Sequence, residues 1–302
     1  MRLGRGALPR DAPFVSPSVF HVGEFGYAGP EDPTSAPDRR SAITGKYSVH
    51  NLFRLTPDSL EHANYSASHT KRGKDYHQRF SEMRGRSLMW ALEQQTLSRF
   101  LAVADPSAVV DLASGTGRIA GHMKSARPSM EVTGIDISES MLAQAKANFP
   151  DVRFEQLDGR QAINRFGPGS IDLVSAFRFF PNAEESLRAS VADQISELVR
   201  PGGWVIINNH RNFWSPTYVL WRSRPRNGAP GALNRDIERL FTSRGFEVCK
   251  RTSLGVWPQS DERAYGLPWS VVEPFERFNA DQLSSLHTLG SNTIWLFRKH
   301  EA

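Results

Sequence analysis

The sequence predicts an α/β protein built on a doubly wound, mostly parallel β-sheet. From residue 109 onward, short apolar runs typical of buried strands alternate with amphipathic segments typical of helices. The first apolar run passes through a glycine-rich turn into a helix, and the next two end at Asp136 and at Asp158-Gly159. Because ligands bind at the carboxyl ends of the strands in such a sheet, we expect a binding crevice there.

Composition places the chain among globular proteins. Of its 302 residues, 39% are hydrophobic and 23% charged, and no apolar run approaches the roughly 20 residues that a membrane span needs. The N-terminus lacks the apolar core of a secretory signal, so we expect a cytoplasmic protein. The single cysteine, Cys249, excludes an internal disulfide and a cysteine-based zinc site. We expect it to be a small buried side chain in a late strand.

Two regions precede the predicted sheet. Residues 1–45 are rich in Pro, Gly, Ser and Arg and keep no helix or strand period, which predicts a disordered tail. Residues 46–105 are predicted to form an N-terminal helical cap. Its main helix covers about 76–103 and is interrupted at Gly85.

The predicted core, residues 106–302, carries two insertions, at about 211–230 and 252–290. The first is basic and contains prolines. The second is too long for a hairpin turn and is rich in aromatic residues, which favours a lid over the substrate. A purely structural excursion is the alternative.

The glycine-rich turn fits two classes of nucleotide-handling protein. Gly115-x-Gly117-x-x-Ala120 satisfies the dinucleotide fingerprint, with Asp136 about 20 residues on, where an acid would hold a ribose hydroxyl. The acid at the strand end, Asp111, counts against that class, because its carboxylate would repel a pyrophosphate on the same turn. A ligand with a cationic end suits this position better.

The pattern Asp111-x-Ala113-x-Gly115-x-Gly117 resembles motif I of the class I S-adenosylmethionine (SAM)-dependent methyltransferases, (D/E)-x-G-x-G-x-G. SAM carries an ammonium and a sulfonium and no phosphate, so an acidic turn is chemically consistent with it. The family's first glycine is Ala113 here, which the turn tolerates if the φ angle of Ala113 is negative.

Later segments extend the resemblance over residues 76–299. They are the R-P-G-G run at 200–203, the strand that follows it, and a helix–strand–excursion–strand finish. The resemblance implies seven strands, the last antiparallel, helices on both faces, and SAM as the cofactor without a metal. It also implies site residues. Asp136 would bind the ribose, Asp158 the adenine amino group, and Phe177 would lie beside the transferring methyl group. The residues implied to bind SAM are Asp111, Ala113, Gly115, Gly117, Asp136, Ile137, Asp158, Gly159, Phe177 and Arg86, with Arg84 as an alternative to Arg86.

Two residues are candidates for catalysis. His210 follows the fifth strand and titrates near neutral pH, which favours a general base. Arg178 follows the fourth strand and would be costly to bury unpaired, so we expect it to face the substrate or the SAM carboxylate. Phe179 and Phe180 would either shield the sulfonium or belong to the core.

The predicted function is methyl transfer to oxygen or nitrogen of a small-molecule, sugar or lipid-linked acceptor. Phe-Arg-Phe-Phe after the fourth strand differs from the N-P-P-(Y/F/W) signature, which argues against DNA adenine methylation. The net charge of +5 permits an anionic acceptor without requiring one. Arginines concentrated in 198–235 leave an RNA or protein methyltransferase open. A SAM-binding module without catalysis and an NAD-dependent oxidoreductase are the remaining alternatives.

Overall fold

The computed structural model describes residues 83–222, 231–282, 286 and 288–301, without the side chains of residues 221, 222 and 282. The predicted tail at 1–45, most of the predicted cap at 46–105 and the second half of the 211–230 insertion therefore lie outside the described residues.

The described elements alternate as the sequence predicts. The strands are Ala108–Leu112 (β1), Glu131–Asp136 (β2), Arg153–Gln156 (β3), Ile171–Ala176 (β4), Val199–Asn209 (β5), Phe246–Leu254 (β6) and Asn292–Lys299 (β7). The helices are Arg84–Ala104 (α1), Arg118–Ala126 (α2), Glu139–Asn148 (α3), Ala162–Phe166 (α4), Glu185–Leu198 (α5), Pro216–Arg222 (α6), Asn234–Thr242 (α7) and Trp269–Gln282 (α8).

The strands form one seven-stranded sheet in the order β3-β2-β1-β4-β5-β7-β6. β1 to β5 run parallel, and β7 is antiparallel to both β5 and β6. The predicted seven-stranded, mostly parallel sheet with an antiparallel last strand is thus confirmed. The strand order reverses direction between β1 and β4, and a crevice opens at the carboxyl ends of strands beside such a switch point.

Apolar side chains cover both faces of the sheet. Val109 and Leu173 belong to one buried cluster together with leucines of α1, whereas their neighbours Val110 and Val174 belong to a second. Because successive side chains of a strand point to opposite faces, this alternation places one core on each side. The doubly wound arrangement follows from it.

The sequence predicts that the Pro-Gly-Gly segment at 201–203 precedes the fifth strand. The structure places this segment inside the strand. β5 begins at Val199 and includes the segment, and its pairing with β4 jumps from Val199 to Trp204. Gly202 has a φ of +70°, a conformation that glycine adopts without strain. The segment is therefore an irregularity within the strand rather than a connection before it.

The prediction that Cys249 is buried is wrong, since its side chain is exposed. Cys249 lies in β6, the edge strand, where pairing to β7 skips from Val248 to Lys250. The extra residue of such a bulge has no partner on the next strand, and this takes Cys249 out of the buried pattern. Among the described residues, no helix is both long and apolar enough to cross a membrane.

Candidate active site

A cavity of about 760 Å³ opens at the carboxyl edge of the sheet. It brings together nearly all of the residues that the sequence singles out. The predicted residues in its lining are Arg86, Asp111, Ala113, Gly115, Asp136, Ile137, Asp158, Gly159, Phe177, Arg178 and His210. Gly117 and Arg84 are not in the lining of this cavity.

Each position of the glycine-rich turn has a separate structural reason. Gly115 has a φ of +56° and lines the cavity. Gly117 has a φ of +79°, and a Cβ there would lie 2.6 Å from the ring of Phe154, so this glycine permits close packing of α2 on the sheet. The condition under which Ala113 would be tolerated without strain, a negative φ, is not met: its φ is +55°. An alanine held there costs roughly 1–2 kcal/mol relative to the right-handed region.

Asp136 ties the glycine-rich turn to the end of β2. Its Oδ2 accepts a hydrogen bond from the backbone N–H of Gly115 at 2.8 Å, and its Oδ1 accepts one from the backbone N–H of Ser138 at 2.9 Å. A carboxylate oxygen can accept more than one hydrogen bond, so these contacts orient the group and leave capacity for a ligand hydroxyl.

Asp111 lies at the floor of the cavity and is only 1% exposed. Its Oδ1 accepts a hydrogen bond from the Ser175 hydroxyl at 2.6 Å, while Oδ2 has no hydrogen-bond partner among the described residues. Burial raises the pKa of this carboxyl to about 6, although the Ser175 hydroxyl opposes the shift. A cationic ligand next to this carboxylate would stabilise its ionised form.

Asp158 caps a short 3₁₀ turn and pairs with a neighbouring arginine. The Arg160 guanidinium contacts both carboxylate oxygens, with Nη2 2.6 Å from Oδ2. This pairing lowers the pKa of Asp158, so the group stays ionised at neutral pH. A ligand amino group at Asp158 would therefore share the carboxylate with Arg160.

The start of α1 and the 252–290 insertion meet at the side of the cavity. Arg86 Nη2 lies 2.6 Å from Asp261 Oδ2, and the backbone N–H of Gly85 donates to the carbonyl of Asp261 at 2.8 Å. A Cβ at Gly85 would lie 2.2 Å from the Ser260 carbonyl oxygen, so only glycine permits this approach. Gln259, Ser260 and Asp261 of this insertion line the cavity.

The exit of β4 presents aromatic groups and one arginine. Phe177 and Phe179 line the cavity and are nearly buried, whereas Phe180 belongs entirely to the core. Arg178 has a φ of +60°, and its backbone N–H donates to Asn208 Oδ1 at 2.6 Å. Its Nη2 lies 3.2 Å from Oε1 of Glu93, a residue of α1 that is 1% exposed. This ion pair joins the first described helix to the fourth strand.

His210 and Arg211 line the cavity just beyond the end of β5. His210 is half-buried. The other described arginines of the basic 198–235 segment lie elsewhere. Arg200 is near the start of β5 and pairs with Asp172, and Arg235 lies close to Asp236. Arg200 and Arg211 therefore lie towards opposite ends of β5.

Comparison with known proteins agrees with this arrangement. Residues 109–203 match a family described as a methyltransferase domain. An uncharacterised methyltransferase of Synechocystis sp. is 26% identical over 50% of this chain and 72% of its own length. The trans-aconitate 2-methyltransferase of Methylobacterium nodulans is 28% identical over 40% of this chain, which spans only 45% of that relative.

Residues 109–203 thus match a methyltransferase domain, and the sheet that contains them has the fold of the class I SAM-dependent methyltransferases. The structure of the N-methyltransferase NodS from Bradyrhizobium japonicum, in complex with S-adenosyl-L-homocysteine (SAH), has the same fold. It superposes with a TM-score of 0.52 at 14% identity, covering 79% of this chain and all of NodS. The methyltransferase domain matched at 109–203 makes SAM the cofactor for which the cavity is assessed.

The residues of the methyltransferase fit SAM. The buried Asp111 Oδ2 has no partner among the described residues, and an acidic floor suits a ligand with an ammonium and a sulfonium. Asp136 retains acceptor capacity for ribose hydroxyls, and the Phe177 ring offers an apolar wall. We infer that these three residues hold the cofactor.

Sequence reasoning missed several residues of the methyltransferase cavity. Arg118 opens α2 directly after the glycine turn, and its guanidinium lies 4.6 Å from the centre of the Trp90 ring. Glu93 interrupts the otherwise apolar face of α1 between Met89 and Leu97. Its position on the apolar face of the helix could have identified Glu93 from the sequence, since a carboxylate is rarely buried without a partner.

Proposed function

We propose that this methyltransferase moves the methyl group of SAM to oxygen or nitrogen of a small-molecule acceptor that shares the cavity with the cofactor. The observation that carries the proposal is the continuity of the cavity. The acidic residues near the carboxyl ends of β1, β2 and β3 and the candidate catalytic residues after β4 and β5 line the same 760 Å³ space. A volume of this size accommodates a nucleoside and a second small molecule.

The two groups of residues have different proposed roles. Asp111, Asp136 and Asp158 bind the cofactor, whose sulfonium supplies an activated methyl group when SAM is bound. His210 acts on the acceptor side as the general base, and Arg178 orients the acceptor. Holding two reactants in one cavity supplies much of the rate in such transfers, because it replaces a bimolecular encounter by a fixed geometry.

A small acceptor is favoured over RNA or protein by the positions of the described arginines. A nucleic acid would require a basic surface continuous with the cavity. Of the described arginines in 198–235, Arg211 reaches the cavity, whereas Arg200 lies near the opposite edge of the sheet and is paired with Asp172. The trans-aconitate methyltransferases among the relatives also act on a small molecule.

Calorimetry and methyl transfer test the proposal together. The protein is titrated with SAM, SAH and NAD, and then incubated with tritium-labelled SAM and a cell extract separated into small metabolites, RNA and protein. We expect binding of SAM and SAH and label in the small metabolites. Binding of NAD alone would overturn the cofactor assignment, and label in RNA or protein would favour the macromolecular alternative. Binding without transfer would indicate a SAM-binding module.

A further inference from the structure

Glu93 is a buried carboxylate in the wall of the cavity with half of its hydrogen-bonding capacity unused. Its Oε1 accepts hydrogen bonds from Asn292 Nδ2 at 2.7 Å and from Arg178 Nη2 at 3.2 Å. Its Oε2 is buried and has no hydrogen-bond partner among the described residues. A buried oxygen without a hydrogen-bond donor costs more free energy when it is charged than when it is neutral. A ligand N–H or O–H that bonds Oε2 would remove this cost.

A chain of hydrogen bonds fixes the orientation of Glu93. Asn208 accepts from the backbone N–H of Arg178 and donates to Asn292 Oδ1 at 2.9 Å, and Asn292 donates to Glu93. The four residues come from α1, from the loop after β4, from β5 and from β7. Because both donors to Glu93 bond the same oxygen, the network holds the carboxylate in place and leaves Oε2 as the oxygen without a hydrogen-bond partner among the described residues.

We propose that Glu93 Oε2 is the anchor for the methyl acceptor, and that it accepts a hydrogen bond from an N–H or O–H of the group that is methylated. This inference rests on the proposed function and narrows it. The acceptor is an amine or a hydroxyl compound. Its nitrogen or oxygen forms a bond to the methyl carbon as the bond from that carbon to the sulfonium breaks, and SAH leaves. The proton passes to Glu93 from the hydrogen-bonded O–H or N–H, or to His210 from a second N–H, so the product is a methyl ether or a methylamine.

The same geometry disfavours a carboxylate as the acceptor group. An ionised carboxylate has no hydrogen to donate to Oε2, and it would face a second negative charge inside a buried site, where like charges repel strongly. Arg178, the cation that pairs with Glu93, lies beside Oε1. The substrate of this enzyme would then differ in chemical class from the carboxylic acid named for the trans-aconitate methyltransferases.

The chemical stability of the product tests the inference without any substitution. The full-length protein is incubated with tritium-labelled SAM and a small-metabolite extract, and the labelled product is treated with mild base. Methyl esters release labelled methanol under these conditions, whereas methylamines and methyl ethers keep their label. We expect the label to survive, and release as methanol would overturn the inference while leaving methyl transfer itself established.

Two variants locate the effect at Glu93. Glu93→Gln should lower product formation at least tenfold and leave the dissociation constant of SAH within twofold of the original. Thr96→Val is the matched control, because Thr96 lies on the same helix, is equally buried and has an unmatched hydroxyl, but does not line the cavity. We expect this control to label product at the original rate.

The outcomes separate this inference from the proposal on which it rests. Unchanged product formation by Glu93→Gln, or an equal loss in Thr96→Val, would overturn the role of Glu93. Loss of SAH binding in Glu93→Gln would also overturn it, since the residue would then serve the cofactor. A wild-type protein that binds no SAH and labels nothing would remove the proposed function, and this inference with it.

Discussion

The two halves of the cavity are constructed in different ways. In the half proposed to bind the cofactor, Asp111, Asp136 and Asp158 lie near the carboxyl ends of β1, β2 and β3, and 47 positions separate the first from the last. In the acceptor half, Glu93 is bonded to Asn292, which is 199 positions away. The first half is therefore encoded in contiguous segments. The second exists only when the first described helix, the middle of the sheet and its last strand have come together.

This difference leads us to expect that substitutions in one half leave the other intact. Contacts to the cofactor depend on local turns, so their loss should appear in SAM and SAH affinity. Contacts to the acceptor depend on the assembled network, so their loss should appear in turnover. The predictions below run from the largest expected effect to the smallest.

Replacement of the proposed base should separate the two halves most clearly. His210→Ala should lower turnover by roughly 100-fold or more, because a positioned general base contributes about that much, while SAH affinity stays within twofold. Steady-state rates and calorimetry provide the two measurements. His300→Ala, an exposed histidine after β7, is the control with unchanged turnover. An equal fall in turnover and in SAH affinity would contradict the separation.

The buried Asp111 should make stability depend on pH. Its pKa is about 6 in the folded protein and about 4 in an unfolded chain, so the folded state holds this proton more tightly. The free energy of unfolding should therefore fall as the pH rises from 4 to 6, by up to about 3 kcal/mol from this group.

Asp111→Asn removes that titration. In urea unfolding of the ligand-free protein, the variant should gain stability relative to the original as the pH rises from 4 to 8, and it should bind SAM more weakly at pH 8. A stability difference that stays constant over this range would show that Asp111 does not titrate as proposed. Retention of full SAM affinity would remove Asp111 from the cofactor half.

Loss of the Asp136 carboxylate should weaken cofactor binding by roughly 1–3 kcal/mol, the value of charge-assisted hydrogen bonds. Asp136→Ala is compared with Asp172→Ala by calorimetry with SAH. Asp172 also accepts two backbone N–H groups, those of Ser107 and Ala108, but it does not line the cavity. The control should lose stability and keep its SAH affinity, whereas an unchanged affinity in Asp136→Ala would exclude a ribose contact.

The smallest expected effect concerns the turn itself. Ala113→Gly should stabilise the protein by about 0.5–1 kcal/mol, because glycine relieves the positive φ and only part of that gain is lost to the greater freedom of the unfolded chain. Ala102→Gly, at an exposed position inside α1, should destabilise it by about 1 kcal/mol. Thermal unfolding of both variants measures the contrast, and shifts of the same sign would contradict it.

Particular residues show which parts of the site could be predicted from the sequence. Asp111, Gly115 and Asp136 were identified because spacing within a strand and its turn limits what each residue can do. The sign of the φ angle of Ala113 could not be predicted from the sequence, since the conformation of one residue depends on the hydrogen bonds and packing around the whole turn. The exposure of Cys249 was missed because strand periodicity does not reveal a bulge.

By itself, the sequence determined the alternation of strands and helices, the acidic glycine turn and, through them, the class of cofactor. These properties depend on side-chain chemistry and short-range periodicity, which a linear pattern records. The tertiary structure alone decided that Glu93 faces Arg178, and that Gly117 packs against Phe154 instead of lining the cavity. Such contacts join elements that are distant in the chain, and only the closing of the sheet and its helices selects which residues meet.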